Sequence, residues 1–333
     1  MLYHGTKMKI DYIAIITPLY NEEKNVINFI NHLELQTNHN FHLYFINDGS
    51  TDSTLNLLQQ RLLNSSLKVT IINQNNQGAA AARLNGINQA NEEYCLIVDA
   101  DDLISNDMVD TILSTLNYFN NIDTIVPELM IQKQDKSYDP LPCFDHSRNI
   151  YTGFECLKNT IGSWKISGIM CTKKEIYLKS YNQYHQFNHK RENYLNNDEI
   201  ITRLNFLNSN NVHRISSAYY YQYNQNSTTK KININRCFLI NNAIILHQLL
   251  NDLKITDKLD KELISTVWGT KRAFSKNFRN ITNKKEWLNS LTYGYNFIRN
   301  SQIYTRLNFK NRIRLFRLFL FIIFSSIRLK WSK

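Results

Sequence analysis

Three carboxylates in four positions, Asp99, Asp101 and Asp102, follow the apolar run Cys95-Leu96-Ile97-Val98. Acids packed this closely repel one another unless a cation sits among them. Hard oxygen ligands select Mg²⁺ or Mn²⁺, ions that commonly bridge to substrate phosphates. The bland alternative has Asp102 opening the next helix and Asp99 facing solvent. A second acidic pair, Asp48 and Asp52, flanks Gly49-Ser50-Thr51. This reads as a turn and a helix cap, with Asp52 as the cap and Asp48 free to accept hydrogen bonds from a base or sugar. Further on, Asn76-Gln77-Gly78-Ala79 precedes an alanine-rich segment carrying Arg83. Gly78 lets backbone approach a ligand and Arg83 can pair with a phosphate or a carboxylate, although a lone Arg on a helix is usually solvated.

Side chains this far apart in sequence need a scaffold that brings them together. Between residues 12 and 127, short β-branched apolar runs alternate with longer segments of helical spacing, the pattern of βα units on a parallel sheet. Strands are expected at 12–17, 41–47, 69–73, 94–98 and 124–126, and helices at 23–35, 53–63, 79–90 and 106–119. The expected class is an α/β sandwich. In open sheets of this kind ligands bind beyond the carboxyl ends of the strands. There the sequence places Thr17-Pro18-Leu19-Tyr20-Asn21-Glu22, Asn47-Asp48-Gly49-Ser50-Thr51-Asp52 and Asp99-Ala100-Asp101-Asp102, all on one rim. Neither GxGxxG nor GxxxxGK[ST] occurs, so dinucleotide and P-loop chemistry have no support, and the nine His show no HExxH spacing.

These three motifs, with Asn76 to Gly86 read as NQGAAAARLNG, resemble in order and spacing the family 2 glycosyltransferases of the GT-A fold, of the bacterial surface-polysaccharide type. The resemblance implies a Rossmann-like mixed sheet flanked by helices and inverting transfer of a sugar from a nucleotide-sugar donor, a UDP-sugar here. It assigns donor binding to Pro18, Tyr20, Glu22, Asp48, Asn76, Gly78, Arg83, Asp99 and Ala100, and the divalent metal, Mn²⁺ or Mg²⁺, to Asp101. Ser163-Trp164-Lys165 and Cys171-Thr172-Lys173-Lys174-Glu175 are similar to the family segment in which Trp164 and Lys165 would line the acceptor side and a helix would follow. Asn197-Asp198-Glu199 falls where the family carries its catalytic base. That implies Asp198, with Glu199 the alternative because Asn197 stands where Glu is usual. Inverting displacement needs such a base: a carboxylate must take the acceptor hydroxyl proton as that oxygen attacks opposite the departing diphosphate. Tyr219-Tyr220-Tyr221-Gln222-Tyr223 and Asn226-Ser227 resemble the family's closing strand and the segment after it. The tyrosines there could stack on sugar rings or simply pack in the sheet.

The rest of the chain bounds the setting. The 333 residues are 43% hydrophobic with 9 Gly and 4 Pro, a globular composition, and the net charge is +11. Residues 261–333 carry 16 Lys or Arg against 2 Asp or Glu, so the basicity belongs to the tail. The expected division is a catalytic domain over 1–226 and a helical, basic extension over 227–333. Within the extension, an amphipathic segment from about 307 to 333 is expected to lie on an anionic membrane surface, because its ten-residue uncharged run 318–327 is too short to span a bilayer. The alternative is a helix buried against Trp268, Phe274, Phe278 or a second subunit. Five scattered Cys without a CxxC pair suit reduced structural thiols, and no signal-like apolar stretch precedes Tyr12. The expectation is therefore a cytoplasmic enzyme peripheral on the inner membrane face, acting on a glycan or lipid-linked glycan of a capsule, O-antigen, exopolysaccharide or teichoic acid. A protein acceptor, a non-catalytic glycosyltransferase-like subunit and a homo-oligomer stay open. A nucleic-acid partner is not expected, since no binding motif accompanies the basic tail.

Overall fold

The computed structural model describes residues 9–189, 192, 194–223 and 233–331. The chain divides into two compact units, residues 1–183 with 201–223, and residues 184–200 with 224–333. Asn226-Ser227 and the terminal Lys333 lie outside the described residues.

The first unit alternates β1 (Ile13–Leu19), α1 (Val26–Leu33), β2 (Phe41–Asp48), α2 (Thr54–Leu62), β3 (Val69–Gln74), α3 (Ala79–Gln89) and β4 (Tyr94–Ile97). It continues through β5 (Leu103–Ile104), α4 (Met108–Tyr118), β6 (Thr124–Gln132), β7 (Tyr138–Pro140), β8 (Ile150–Thr152), α5 (Gly153–Lys158) and β9 (Cys171–Lys173). The helices α6 (Lys174–His185) and α7 (Asn197–Asn208) and the long strand β10 (Asn211–Tyr221) follow. One mixed sheet results, in the order β3-β2-β1-β4-β9-β6-β10-β5, with β7 beside β6 and β8 beside β10. The parallel half, β3-β2-β1-β4, is the βα pattern expected from sequence. Its inner strands are buried, because helices cover both faces: β2 is buried at every position and β1 at all but Pro18, while the edge strand β3 is only partly buried.

The other half departs from a simple parallel series. β9 pairs antiparallel with both β4 and β6, so the fifth expected strand does not sit beside the fourth. A strand of three residues is too short to show a two-residue alternation, which is why sequence periodicity passes over it. The fifth expected strand itself runs on to Gln132, past the Pro127 that closed the apolar run.

α3 lies unusually close to the sheet. A Cβ added at Gly86 would come within 2.5 Å of Ile46 Cδ1 and 2.6 Å of Ile16 Cγ2. This close approach sets the height of the helix that carries Arg83. The core beneath joins Ile13, Ile15, Phe29, Leu33, Phe45, Leu96, Ile112 and Ile125, all buried.

The second unit is helical. After a 3₁₀ turn (Ile234–Phe238) come α8 (Leu239–Leu250), α9 (Thr256–Asn277), α10 (Lys284–Asn300), α11 (Ile303–Arg306) and α12 (Phe309–Trp331). Ile240, Ile244, Leu263, Val267, Phe274, Trp287 and Leu291 form its core with Leu315, Leu318 and Ile322 of α12. Buried Asp260 ties three helices by accepting from His247 Nε2 at 2.8 Å and from Arg306 Nε at 2.7 Å. α12 thus has one face packed, as in the buried-helix alternative. Its opposite face exposes Ile313, Phe316, Ile323, Phe324 and Ile327. Among the described residues no helix is long and apolar enough to cross a membrane.

Candidate active site

The rim beyond β1, β2 and β4 is built by three loops that hold one another. Asn21 adopts a left-handed φ of 58°, a conformation that Asn tolerates, and its side chain accepts from Thr51 N–H at 2.8 Å. Its own N–H donates to Ser50 Oγ, and Glu22 N–H donates to Thr54 Oγ1 at 2.7 Å. Asp52 accepts from Thr54 N–H at 3.0 Å, so it caps α2 from one position further out than expected. Gly49, with φ of 71°, makes the turn, and a Cβ there would lie 2.9 Å from Asn76 N. The close pass of the two loops therefore requires glycine.

Asp48 is not the unengaged carboxylate that its place after the strand suggested. It is 2% exposed and accepts from Gln74 Nε2, Gln77 N–H and Gly78 N–H, each at 2.8 Å. It therefore shapes the loop from β3 into α3, while still bordering the cavity.

The acidic triplet divides into three different environments. Asp99 receives both of its short contacts from Arg83 Nη2, at 2.7 and 2.9 Å. Asp102 is buried, accepting from Tyr219 Oη at 2.7 Å and Gln222 N–H at 2.8 Å. Burial pushes its carboxyl up to about 8 against those two hydrogen bonds, and the neighbouring Asp99 and Asp101 add to the rise. Asp101 lies half-buried on the cavity wall. Much of the repulsion that pointed to a cation is thus relieved within the protein, by a guanidinium at Asp99 and by burial at Asp102. Sequence reasoning missed Tyr219 and Gln222 in this role. The tyrosine-rich run was the available signal, but nothing local linked it to an acid more than a hundred residues away. Tyr219 also accepts from Asp99 N–H at 3.3 Å, and Tyr220 packs edge-on against Tyr138, so both belong to the sheet's own packing.

Pro18, Tyr20, Glu22, Asp48, Arg83, Asp99, Ala100 and Asp101 line a single cavity of about 190 Å³, together with Leu19 and Ala79. Glu22 has its carboxyl raised, first by burial and then by Asp101 and Asp99, against a hydrogen bond from Asn25. Asn76 and Gly78 are not among the lining residues: Asn76 packs closely against Gly49, and Gly78 N–H donates to Asp48. Trp164 and Lys165 lie outside it: the Trp164 ring stacks under the Arg203 guanidinium at 5.0 Å, and the Lys165 side chain is exposed. Asp198 and Glu199 occupy the first turn of α7, in the part of the chain assigned to the second unit. Asp198 is exposed, whereas Glu199 accepts from Asn196 Nδ2 at 2.6 Å. Asn197 is buried and accepts from Tyr184 Oη at 2.5 Å and Asn242 Nδ2 at 3.0 Å. A glutamate in that place would bring a charge into this polar cluster, which accounts physically for the amide.

Hard carboxylate oxygens at Asp101 and Asp99 fit a divalent ion such as Mn²⁺ or Mg²⁺. Among the described residues no three His, Cys, Asp or Glu gather into a preformed metal cluster, so phosphate oxygens and water would have to complete the coordination.

The sequence compares accordingly. Residues 14–163 match the model of glycosyl transferase family 2. The chain is 26% identical over 208 residues to glycosyltransferase GlyG of Streptococcus pneumoniae, covering 54% of this chain and 62% of that protein. It is 33% identical over 102 residues to glycosyltransferase GlyA of the same organism, 31% of this chain and 14% of that one. It thus spans less than two thirds of the length of these relatives. In fold it is similar to residues 1–349 of TarS from S. aureus in complex with UDP-GlcNAc, with a TM-score of 0.61 at 18% identity over 87% of this chain and 81% of that one. The segment 14–163, which carries every lining residue of the rim cavity, is thus the part of the chain that matches glycosyl transferase family 2.

Proposed function

We propose that this protein transfers a sugar from a UDP-sugar to a hydroxyl of a glycan or lipid-linked glycan acceptor in bacterial surface-polysaccharide assembly, with inversion at the anomeric carbon. The observation that carries the reading is the convergence of eight expected donor and metal residues, drawn from the carboxyl ends of three strands with the loops after them and from one helix, on one cavity. The match of residues 14–163 to a glycosyl transferase family and the fold shared with a UDP-GlcNAc-bound protein support it.

In this reading Pro18, Tyr20 and Glu22 hold the nucleoside, and Asp48 keeps the 74–78 loop in place behind it. Asp101, with Asp99, would hold Mn²⁺ or Mg²⁺, which when bound offsets charge on the diphosphate. Arg83, held level by Asp99, presents a cation to the same side, where negative charge grows as the diphosphate leaves. Asp198 takes the proton of the acceptor hydroxyl, its exposure in the first turn of α7 leaving it open to solvent, with Glu199 the alternative. Trp164 and Lys165 are assigned to the acceptor side by resemblance alone.

The membrane face of the reading rests on α12. It carries Lys310, Arg312, Arg314, Arg317, Arg328 and Lys330 with no acid, and its exposed apolar positions 313, 316, 323, 324 and 327 fall within about 100° of one another round the helix. A helix with these two features lies in the headgroup region of an anionic leaflet.

Purified protein with a panel of nucleotide sugars, with and without Mn²⁺, tests the reading by thermal shift and release of UDP. One UDP-sugar should raise the melting temperature in a Mn²⁺-dependent way, and Asp101→Asn should abolish the Mn²⁺ dependence. Asp198→Asn should bind the donor as the unaltered protein does yet lose on the order of a hundredfold or more in turnover. If Glu199→Gln gives that result instead, the base is Glu199. Absence of any nucleotide-dependent shift would favour a non-catalytic subunit.

A further inference from the structure

A second concave site lies wholly within the helical unit. It is a solvent-open groove of about 530 Å³ lined by one face of α9 and one face of α12. Lys261, Trp268, Lys271 and Arg272 come from α9, and Arg314 and Arg317 from α12. The α9 residues recur three or four apart, as one face of a helix requires. No acid lines the groove, and among the described residues none of its five cations has a carboxylate partner. Asp260 of α9 is committed to Arg306 and His247. Lys271 also sits over the Phe321 ring of α12 at 4.8 Å, which fixes the two walls together. Five like charges around one hollow are costly unless an anion or water screens them.

We infer that this groove takes the phosphate of an anionic lipid headgroup and so seats α12 on the membrane. The commitment to a lipid, rather than to a free anion, comes from what adjoins the cations. Arg314 and Arg317 each follow an exposed apolar residue, Ile313 and Phe316, by one position, about 100° round the helix. α12 therefore carries, side by side, one wall of a cationic hollow and an apolar stripe, which matches a headgroup with its acyl chains. Trp268 adds an amphipathic ring of the kind that settles at membrane interfaces. This inference rests on the membrane-face reading above and deepens it, giving a defined site where diffuse charge attraction would suffice for loose binding.

The full-length protein should be sedimented with phosphatidylcholine vesicles with and without phosphatidylglycerol. Lys261→Gln/Arg272→Gln/Arg314→Gln should weaken phosphatidylglycerol-dependent binding on the order of tenfold or more. Lys276→Gln/Arg279→Gln/Lys285→Gln removes equal charge from exposed positions outside the groove and should change binding little. Equal losses in both variants would overturn the groove and leave only diffuse attraction. In a Trp331→Phe background, Trp268→Phe should remove most of the emission change seen when vesicles are added; an undiminished change would also overturn it. Saturable quenching of Trp268 by inorganic pyrophosphate, unaffected by vesicles, would reassign the hollow to a soluble anion. A self-association lost in Phe316→Ser/Phe324→Ser and present without vesicles would give the stripe to a second copy of the chain. The UDP-sugar thermal shift, measured on each variant, shows that it is folded and separates failure here from failure of the glycosyltransferase reading.

Discussion

Asp102 shows how a carboxylate within an acidic motif can be structural. Burial pushes its carboxyl up to about 8 in the folded chain, from the ordinary aspartate value of 3.8. Between those values the folded state holds a proton that the unfolded state has released. Stability from this group is therefore full below about pH 4 and is lost as pH rises toward 8. In chelator, the melting temperature should fall from pH 5 to pH 8, and Asp102→Asn should flatten that slope. An unchanged slope in the variant would mean that Asp102 is ionised when folded. The motif and the strand before it were legible in sequence. The burial of Asp102 was not, because its partners Tyr219 and Gln222 arrive from the far end of the unit.

At the scale of the element, α3 is both a packing unit and the arm that places Arg83. Its single interior glycine is where it meets β1 and β2, through Ile16 and Ile46. Gly86→Val should cost about 1–3 kcal/mol by overpacking, read by chemical denaturation. The helix must rise to admit the side chain, so UDP-sugar affinity should fall by more than in an exposed substitution on the same helix. Equal affinity in the two would mean that Arg83 is placed independently of the packing. The α3 span was readable to within a residue from its alanine-rich spacing. The insertion of β9 between β4 and β6 was not, since it depends on a long-range pairing that leaves only three residues of signal.

At the scale of the whole molecule, the two faces of α12 make separable predictions. Leu318 is fully buried with Trp287, Phe274 and Leu291 in the helical core. Leu318→Ala should cost about 2–5 kcal/mol in the thermal or denaturant transition of that unit. Phe316→Ser and Phe324→Ser, on exposed positions, should change stability by no more than about 0.5 kcal/mol while reducing vesicle binding. A stability loss in the exposed pair comparable to Leu318→Ala would show that the stripe is covered in solution. Truncating the chain before α12 would confound the two effects, because it also opens the core.

Sequence alone determined the parallel βα half, the three rim motifs and the concentration of positive charge in the tail. These depend on local periodicity, turn chemistry and composition, which are properties of short segments. Only the tertiary structure decided which carboxylate of the triplet is paired, which is buried and which borders the cavity. It also decided that Asp48 braces a loop, that one face of α12 belongs to a core, and that α9 and α12 enclose a cationic groove. Each of those outcomes depends on residues distant in sequence meeting in space, and on the burial that follows, which no single segment encodes.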